Sequence, residues 1–125
     1  MSQLYPSPEI VVQRQLDAYN ARDVDAILTT YAPDARQFEF PGKLVASGHD
    51  EIRVRMAQRF LENNLHAKLV RREVIGHLVI DYEDITRTFP EGTGQLEMIA
   101  IYEVKDGLIH SASVIAGART LDASL

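Results

Sequence analysis

Up to about residue 62 the apolar residues recur at helical spacing; beyond it they alternate or run together as strands do. Ser7-Pro8-Glu9 reads as a helix start: a capping hydroxyl, a proline in the first turn, then an acid at the positive end of the helix dipole. Val12, Leu16 and Tyr19 follow at i, i+4 and i+7, and this helix should end near Asn20-Ala21. Asp23 can cap a second helix with Val24, Ile27, Leu28 and Tyr31 on one face, stopped by Pro33, which disfavours helical dihedrals at Ala32. Residues 35–40 read as a short strand, Pro41-Gly42 as a turn, and Lys43 to Ala46 as its returning partner. Ser47-Gly48-His49-Asp50 opens a third helix, about 48–62, with Ile52, Met56 and Phe60 at i, i+4 and i+8.

Four strands should follow: Leu65 to Ile75, Leu78 to Phe89, Gln95 to Lys105 and Leu108 to Ala118. They are separated by Gly76-His77, by a turn cluster at residues 90–94, and by Asp106-Gly107, a strong two-residue hairpin signal. Residues 1–6 and 119–125 read as loose ends. Helices segregated from an antiparallel meander make an α+β protein. Three short helices cannot cover both faces of so long a sheet. It must curl around them and leave its other face to solvent or a partner.

Composition narrows the classes. A chain of 125 residues, 46% hydrophobic, is one domain able to bury a core. With no cysteine, disulfides, thiolate metal sites and thiol nucleophiles are excluded. A net charge of −5 argues against nucleic-acid and anionic-membrane partners, which need a basic surface. No apolar run approaches the roughly 20 residues of a membrane span. The first six residues have neither a basic stretch nor an apolar run, so no signal peptide is expected and the location expected is cytoplasmic.

The order of elements, with Val11-Val12-Gln13-Arg14, Asn20-Ala21-Arg22-Asp23, Tyr31-Ala32-Pro33-Asp34-Ala35, Pro41-Gly42, Ser47-Gly48 and Glu51-Ile52-Arg53, resembles the nuclear transport factor 2-like superfamily. Within it the chain resembles the SnoaL-like polyketide-cyclase and ketosteroid-isomerase branch, over about residues 8–117. The resemblance implies a cone-shaped, cystatin-like fold, with three N-terminal helices packed in a strongly curved antiparallel sheet around an apolar pocket. It also implies a homodimer through the open sheet face. The superfamily hosts many activities, so the fold does not name one.

The isomerase branch places its carboxylate base where this sequence has Glu39. Such a base can shuttle a proton between ligand carbons if burial raises its pKa. The other reading of Glu39 is an exposed strand glutamate. The branch's oxyanion donors match Gln15, Met56 and Ala100 here, so ketosteroid isomerisation itself is not expected; Tyr19, one turn from Gln15, is a substitute donor. Alternation puts Asp81, Glu83, Ile85, Arg87 and Phe89 on one face of their strand, and the resemblance turns that face to the pocket. There Asp81 and Glu83 could form an acid/base pair; otherwise they make a solvated face of weak ion pairs.

His66 shares a strand face with Lys68, Val70 and Arg72, at an end that the resemblance places at the pocket mouth. His110 shares one with Ala112 and Val114 and could line the pocket. For each histidine a merely structural or solvated role stands beside the functional one. Arg55 could reach the entrance and meet an anionic ligand. Phe38, Met56, Phe60, Ile85, Met98, Ala100 and Tyr102 complete the candidate wall. No histidine–carboxylate spacing makes a metal motif, so no metal is expected, and no organic cofactor is implied. Ile99, Ile101, Ile109 and Ile115 are expected on the outer face of the sheet, where a dimer would form.

The expectation is therefore a SnoaL-like small-molecule-binding protein. Either it is a cofactor-independent isomerase-, cyclase- or dehydratase-type enzyme acting on a small apolar or cyclic ligand by carboxylate proton transfer, or a non-catalytic binding or dimerisation module. The enzymatic reading leans on Glu39 facing a sheltered chamber.

Overall fold

The computed structural model describes residues 4–122. In chain order the elements are α1 (Pro8–Asn20), α2 (Val24–Leu28), β1 (Tyr31–Glu39), β2 (Lys43–Ser47), α3 (Gly48–Arg59), β3 (His66–Ile75), β4 (Leu78–Phe89), β5 (Gly92–Lys105) and β6 (Leu108–Leu121). The six strands form one sheet in the order β2-β1-β6-β5-β4-β3. All pairings are antiparallel except β1 with β6, which is parallel and ties the early hairpin to the meander. The expected all-antiparallel sheet is corrected at that one seam. No helix among the described residues is long and apolar enough to cross a membrane.

Local signals account for most boundaries. The Ser7 hydroxyl accepts from the Ile10 amide at 3.3 Å, with Pro8 opening α1, and the Asp23 carboxylate accepts from the Ala26 amide at 3.0 Å to cap α2. At the start of α3 the Ser47 hydroxyl makes no cap bond; instead Glu51 reaches back to the Ser47 amide at 2.8 Å, half of a capping box. Asp106 and Gly107 both take positive φ, 52° and 76°, as a two-residue hairpin between right-twisted strands requires.

Tyr31 departs from expectation. The helix stops at Leu28 and Tyr31 opens β1; Pro33 keeps Ala32 extended, so the chain enters a strand there rather than another helical turn. Strands β5 and β6 also run past their expected ends, to Gly92 and to Leu121; residues 123–125 of the expected tail, and residues 1–3 of the expected arm, lie outside the described residues.

The sheet curves around the helices, and one core cluster joins Val11, Val12, Ile27 and Ile52 from the helices to Tyr31, Val79, Tyr102, Val104 and Ile109 from the strands. Each such fully buried aliphatic contributes roughly 1.5–3 kcal/mol. A second cluster around Leu16, Leu65, Ala67 and Ile85 joins α1 to β3 and β4. Asn20 at the end of α1 makes two hydrogen bonds to the Ala67 backbone, 2.9 and 2.8 Å, fixing β3 against the helix. The space between the two clusters is only partly filled, and the site lies there.

Three strand irregularities decide which side chains face that space. In β3, Leu69 pairs with Glu83 but Arg71 with Tyr82, so Val70 is an extra, bulged residue. In β6, Ser111 pairs with Glu103 but Ile109 with Val104, so His110 is bulged. In β2, Val45 is skipped between the partners of Gln37 and Phe38. Each bulge reverses the in/out alternation beyond it.

Candidate functional site

A cavity of about 70 Å³ opens between the helices and the concave side of the sheet. Helix α1 contributes Gln15, Leu16 and Tyr19, and α3 contributes Arg55, Met56 and Arg59. The strands supply Tyr31, Gln37, Phe38, Ala67, Glu83, Ile85, Met98, Ala100, Tyr102, Ala112 and Val114. The wall is thus mostly apolar, with three phenols, two glutamines and one carboxylate turned inward.

That carboxylate is Glu83. It is 6% exposed, and burial, followed by repulsion from Asp81, raises its pKa to about 7 against a smaller opposing pull from Arg72. No hydrogen bond contributes to that balance. Among the described residues no fully buried side-chain oxygen lacks a partner, so the Glu83 oxygens reach the cavity space itself. A carboxyl poised near neutrality and free of partners can both take and give a proton.

Asp81, two residues earlier on the same face, is in a different situation. It is fully buried and does not line the cavity. Its two oxygens accept from Arg72 Nε at 2.7 Å and Nη2 at 2.9 Å, while Arg72 Nη1 donates to Gln13 Oε1 at 2.9 Å. The expected Asp81–Glu83 acid/base pair is therefore corrected: a bidentate guanidinium occupies Asp81. Strict alternation put Arg72 on one face with His66; the Val70 bulge separates the two and leaves Arg72 turned inward.

The phenols are held in place by amides. Tyr102 donates to Gln15 Oε1 at 3.2 Å, and burial holds its pKa well above the usual value. Arg55 Nη1 donates to Gln37 Oε1 at 2.8 Å, and Gln37 Nε2 donates to the Tyr31 hydroxyl at 3.2 Å. Since Tyr31 accepts there, its own O–H remains to be donated. Burial pushes the Tyr31 pKa up to about 12, so the phenol stays protonated. Tyr19 meets Phe60 edge-on, ring centroids 5.4 Å apart at 84°, and its pKa is raised by burial against a weaker opposing pull from Arg59.

Of the other expected site residues, Gln15, Phe38, Arg55, Met56, Ile85, Met98, Ala100 and Tyr19 line the cavity. Phe60 does not; it packs behind Tyr19. Four further expectations are corrected. Glu39 lies at the outer end of β1, outside the cavity lining, its side chain 52% exposed and 3.6 Å from Lys43. His66 is exposed, since Ala67 takes the inward position at the start of β3. His110 sits in the β6 bulge, so Ile109 and Ala112 face inward in its place. Arg87 stays outside the cavity and binds Glu62 through two nitrogens at 2.7–3.1 Å.

Ile109 is likewise not on the outer face but fully buried, by the same bulge; Ile99, Ile101 and Ile115 are partly exposed there. Among the described residues no group of three histidine, aspartate or glutamate side chains is placed to hold a metal ion.

Sequence reasoning did not find Tyr31, Gln37, Arg59, Arg72 or Gln13 as parts of the site. Only Tyr31 carried a readable signal, the Pro33 that keeps the next residue, Ala32, extended.

The class that this fold and chamber define is confirmed by comparison. The model of the SnoaL-like domain family matches residues 12–112, and the chain belongs to that family. No curated protein matches the sequence. Among solved structures, the chain is similar to an uncharacterized cystatin-fold protein from Novosphingobium aromaticivorans (TM-score 0.82, 23% identity, covering 88% of this chain and 98% of that one). It is also similar to a protein with a ketosteroid isomerase-like fold from Catenulispora acidiphila, in complex with trimethylamine (TM-score 0.74, 17% identity, 87% and 85% covered). A third is an LEH-like epoxide hydrolase of M. tuberculosis (TM-score 0.74, 15% identity, 88% and 82% covered). These likenesses establish a nuclear transport factor 2-like, cystatin-type α+β fold.

Proposed function

We propose that the chain binds a small organic molecule in this chamber and that Glu83, not Glu39, moves a proton on it. The observation that carries the reading is a carboxyl buried at the cavity wall with no partner and a pKa of about 7. The carboxylate takes a proton from a carbon next to a carbonyl. The electron pair moves to the carbonyl oxygen, where the Tyr31 O–H, oriented by Gln37 and Arg55, donates to the developing oxyanion. The protonated Glu83 then returns the proton to the γ-carbon of the resulting dienolate. That is an isomerisation; on a substrate with a hydroxyl on a saturated β-carbon, the enolate expels it, the protonated Glu83 gives its proton to the departing oxygen, and water leaves, a dehydration.

The test is the isomerisation of β,γ-unsaturated ketones and acids to their conjugated forms, followed by ultraviolet absorbance. Rate should rise with pH through about 7 as Glu83 ionises, then level off. Glu83→Gln should lose about 10²–10⁴-fold. Tyr31→Phe should lose about 10²-fold while ligand binding is kept. Full activity in Glu83→Gln overturns the reading.

The small cavity, about 70 Å³, favours a second reading, a binding module without chemistry. Ligand binding with no turnover and no solvent deuterium entering the ligand would select it. In either case we propose a homodimer through the outer sheet face, where Val70, Tyr82, Ile99 and Ile115 line an open groove of about 550 Å³. A monomer by light scattering at micromolar concentration would overturn the dimer.

A further inference from the structure

The two ends of the chamber differ in charge. At the inner end the charges felt by Glu83 are those of Asp81 and Arg72, and these two neutralise one another. At the mouth, Arg55, Arg59, Arg87 and Glu62 line a space of about 280 Å³. Three guanidiniums therefore meet one carboxylate there, in a chain whose net charge is −5.

Arg87 and Glu62 satisfy one another. Arg55 takes no part in that pair, and Arg59 only lowers the Glu62 pKa from beyond ion-pair distance. They stand one turn apart on α3, both line the cavity, and neither has a carboxylate within ion-pair distance among the described residues. Burial lowers the Arg55 pKa and the Arg59 charge lowers it further; Glu39 opposes this only weakly and is itself held by Lys43. Like charges at this spacing repel. A solvated helix face does not explain the arrangement. Arg53 on the same helix shows what that looks like: exposed, pointing away, and paired with Asp25 at 2.8 Å.

We propose that the chamber takes a small organic monoanion, with its carboxylate gripped by Arg55 and Arg59 at the mouth and its carbon body reaching inward towards Glu83. This rests on the chamber being the ligand site, as proposed above, and adds the class of ligand. Guanidinium forks suit a carboxylate geometrically and lose least by leaving water. Tyr19 and Tyr31 lie between the two ends, each feeling both Glu83 and an arginine of the mouth. The inner part of the chamber is small, about 70 Å³, so the part of the ligand that reaches Glu83 is compact.

Butanoate, hexanoate and cyclohexanecarboxylate, each against its neutral amide, test this by calorimetry and thermal shift on the intact protein. The carboxylates should bind and raise the melting temperature, and each amide should bind at least about tenfold more weakly. Arg55→Gln and Arg59→Gln should each weaken carboxylate binding about tenfold or more. Should Arg55→Gln melt early because Gln37 loses its donor, Arg59→Gln carries the test. Arg53→Gln should change nothing. Amides binding as well as acids, equal losses in Arg53→Gln and Arg59→Gln, or no binding of any carboxylate would overturn the proposal. Carboxylates that bind in an arginine-dependent way, with no proton transfer on any unsaturated acid, would leave it standing and remove the catalytic reading of Glu83.

Discussion

Asp81 and Glu83 leave the same face of β4 with one residue between them, yet they occupy different electrostatic media. Asp81 sits where β3 bulges and can deliver Arg72, and α1 adds Gln13 behind the guanidinium. Glu83 sits opposite Leu69, before the bulge, where the partner strand offers only an apolar side chain. Burial is nearly the same for both, so burial alone does not make a functional carboxyl. What distinguishes them is whether the neighbouring strand supplies a counter-charge. One arrangement ends as a structural ion pair, and the other leaves a titratable group facing empty space.

The comparison breaks most visibly by removing the counter-charge. Arg72→Met leaves the Asp81 carboxyl buried without its counter-charge, since the Arg72 side chain is only 9% exposed and that of Asp81 0%. Breaking such a pair costs about 3–5 kcal/mol, measurable by urea unfolding. The double variant Arg72→Met/Asp81→Leu should recover much of the loss, because neither buried charge remains. A single variant that unfolds like wild type would mean that water or another donor already satisfies Asp81.

Glu83 should respond in the opposite direction. Its pKa rises from the model-peptide value of 4.5 to about 7 on folding. Between those values the native state holds the proton more tightly than the unfolded chain, so stability falls as pH rises through that window and stays lower above it. The full shift corresponds to about 3 kcal/mol. Glu83→Gln, which cannot ionise, should therefore be more stable than wild type at pH 8 and similar to it at pH 4, while losing turnover. Wild-type and variant stability curves that run parallel from pH 4 to 8 would show that Glu83 is solvated after all.

These two carboxylates also mark what the sequence could reveal. The inward face of β4 was legible because Val79, Asp81, Glu83 and Ile85 alternate without interruption, and β5 pairs with β4 along its whole length in one register. The partners were not legible. Arg72 was grouped on one face with His66, and His110 was turned to the pocket, because a single bulged residue in each strand reverses everything beyond it, and neither Val70 nor His110 announces a bulge. Tyr31 was misread because its spacing from Val24 and Leu28 fits a helix face as well as a strand start. The arginines of the mouth were visible as residues, but that Arg55 and Arg59 lack carboxylate partners is a fact of tertiary packing alone.

Glu39 gives the smallest and sharpest contrast with Glu83. Both are glutamates on strands that border the chamber, and the family resemblance gave Glu39 a place at the pocket, while alternation set it beside Gln37 and away from Phe38 and Phe40. Alternation fixes only the side of the sheet, though, and not whether a helix covers that side. At the end of β1, Glu39 lies outside the cavity lining and meets water and Lys43. An exposed pair of this kind contributes little, and exposed substitutions usually change stability by no more than about 0.5 kcal/mol. Glu39→Gln should accordingly unfold at the same urea concentration as wild type and keep its turnover, across the same pH range in which Glu83→Gln fails. Loss of activity in Glu39→Gln with its stability intact would mean that β1 closes over the mouth when ligand binds. The base would then be the carboxylate at the rim rather than the one in the wall.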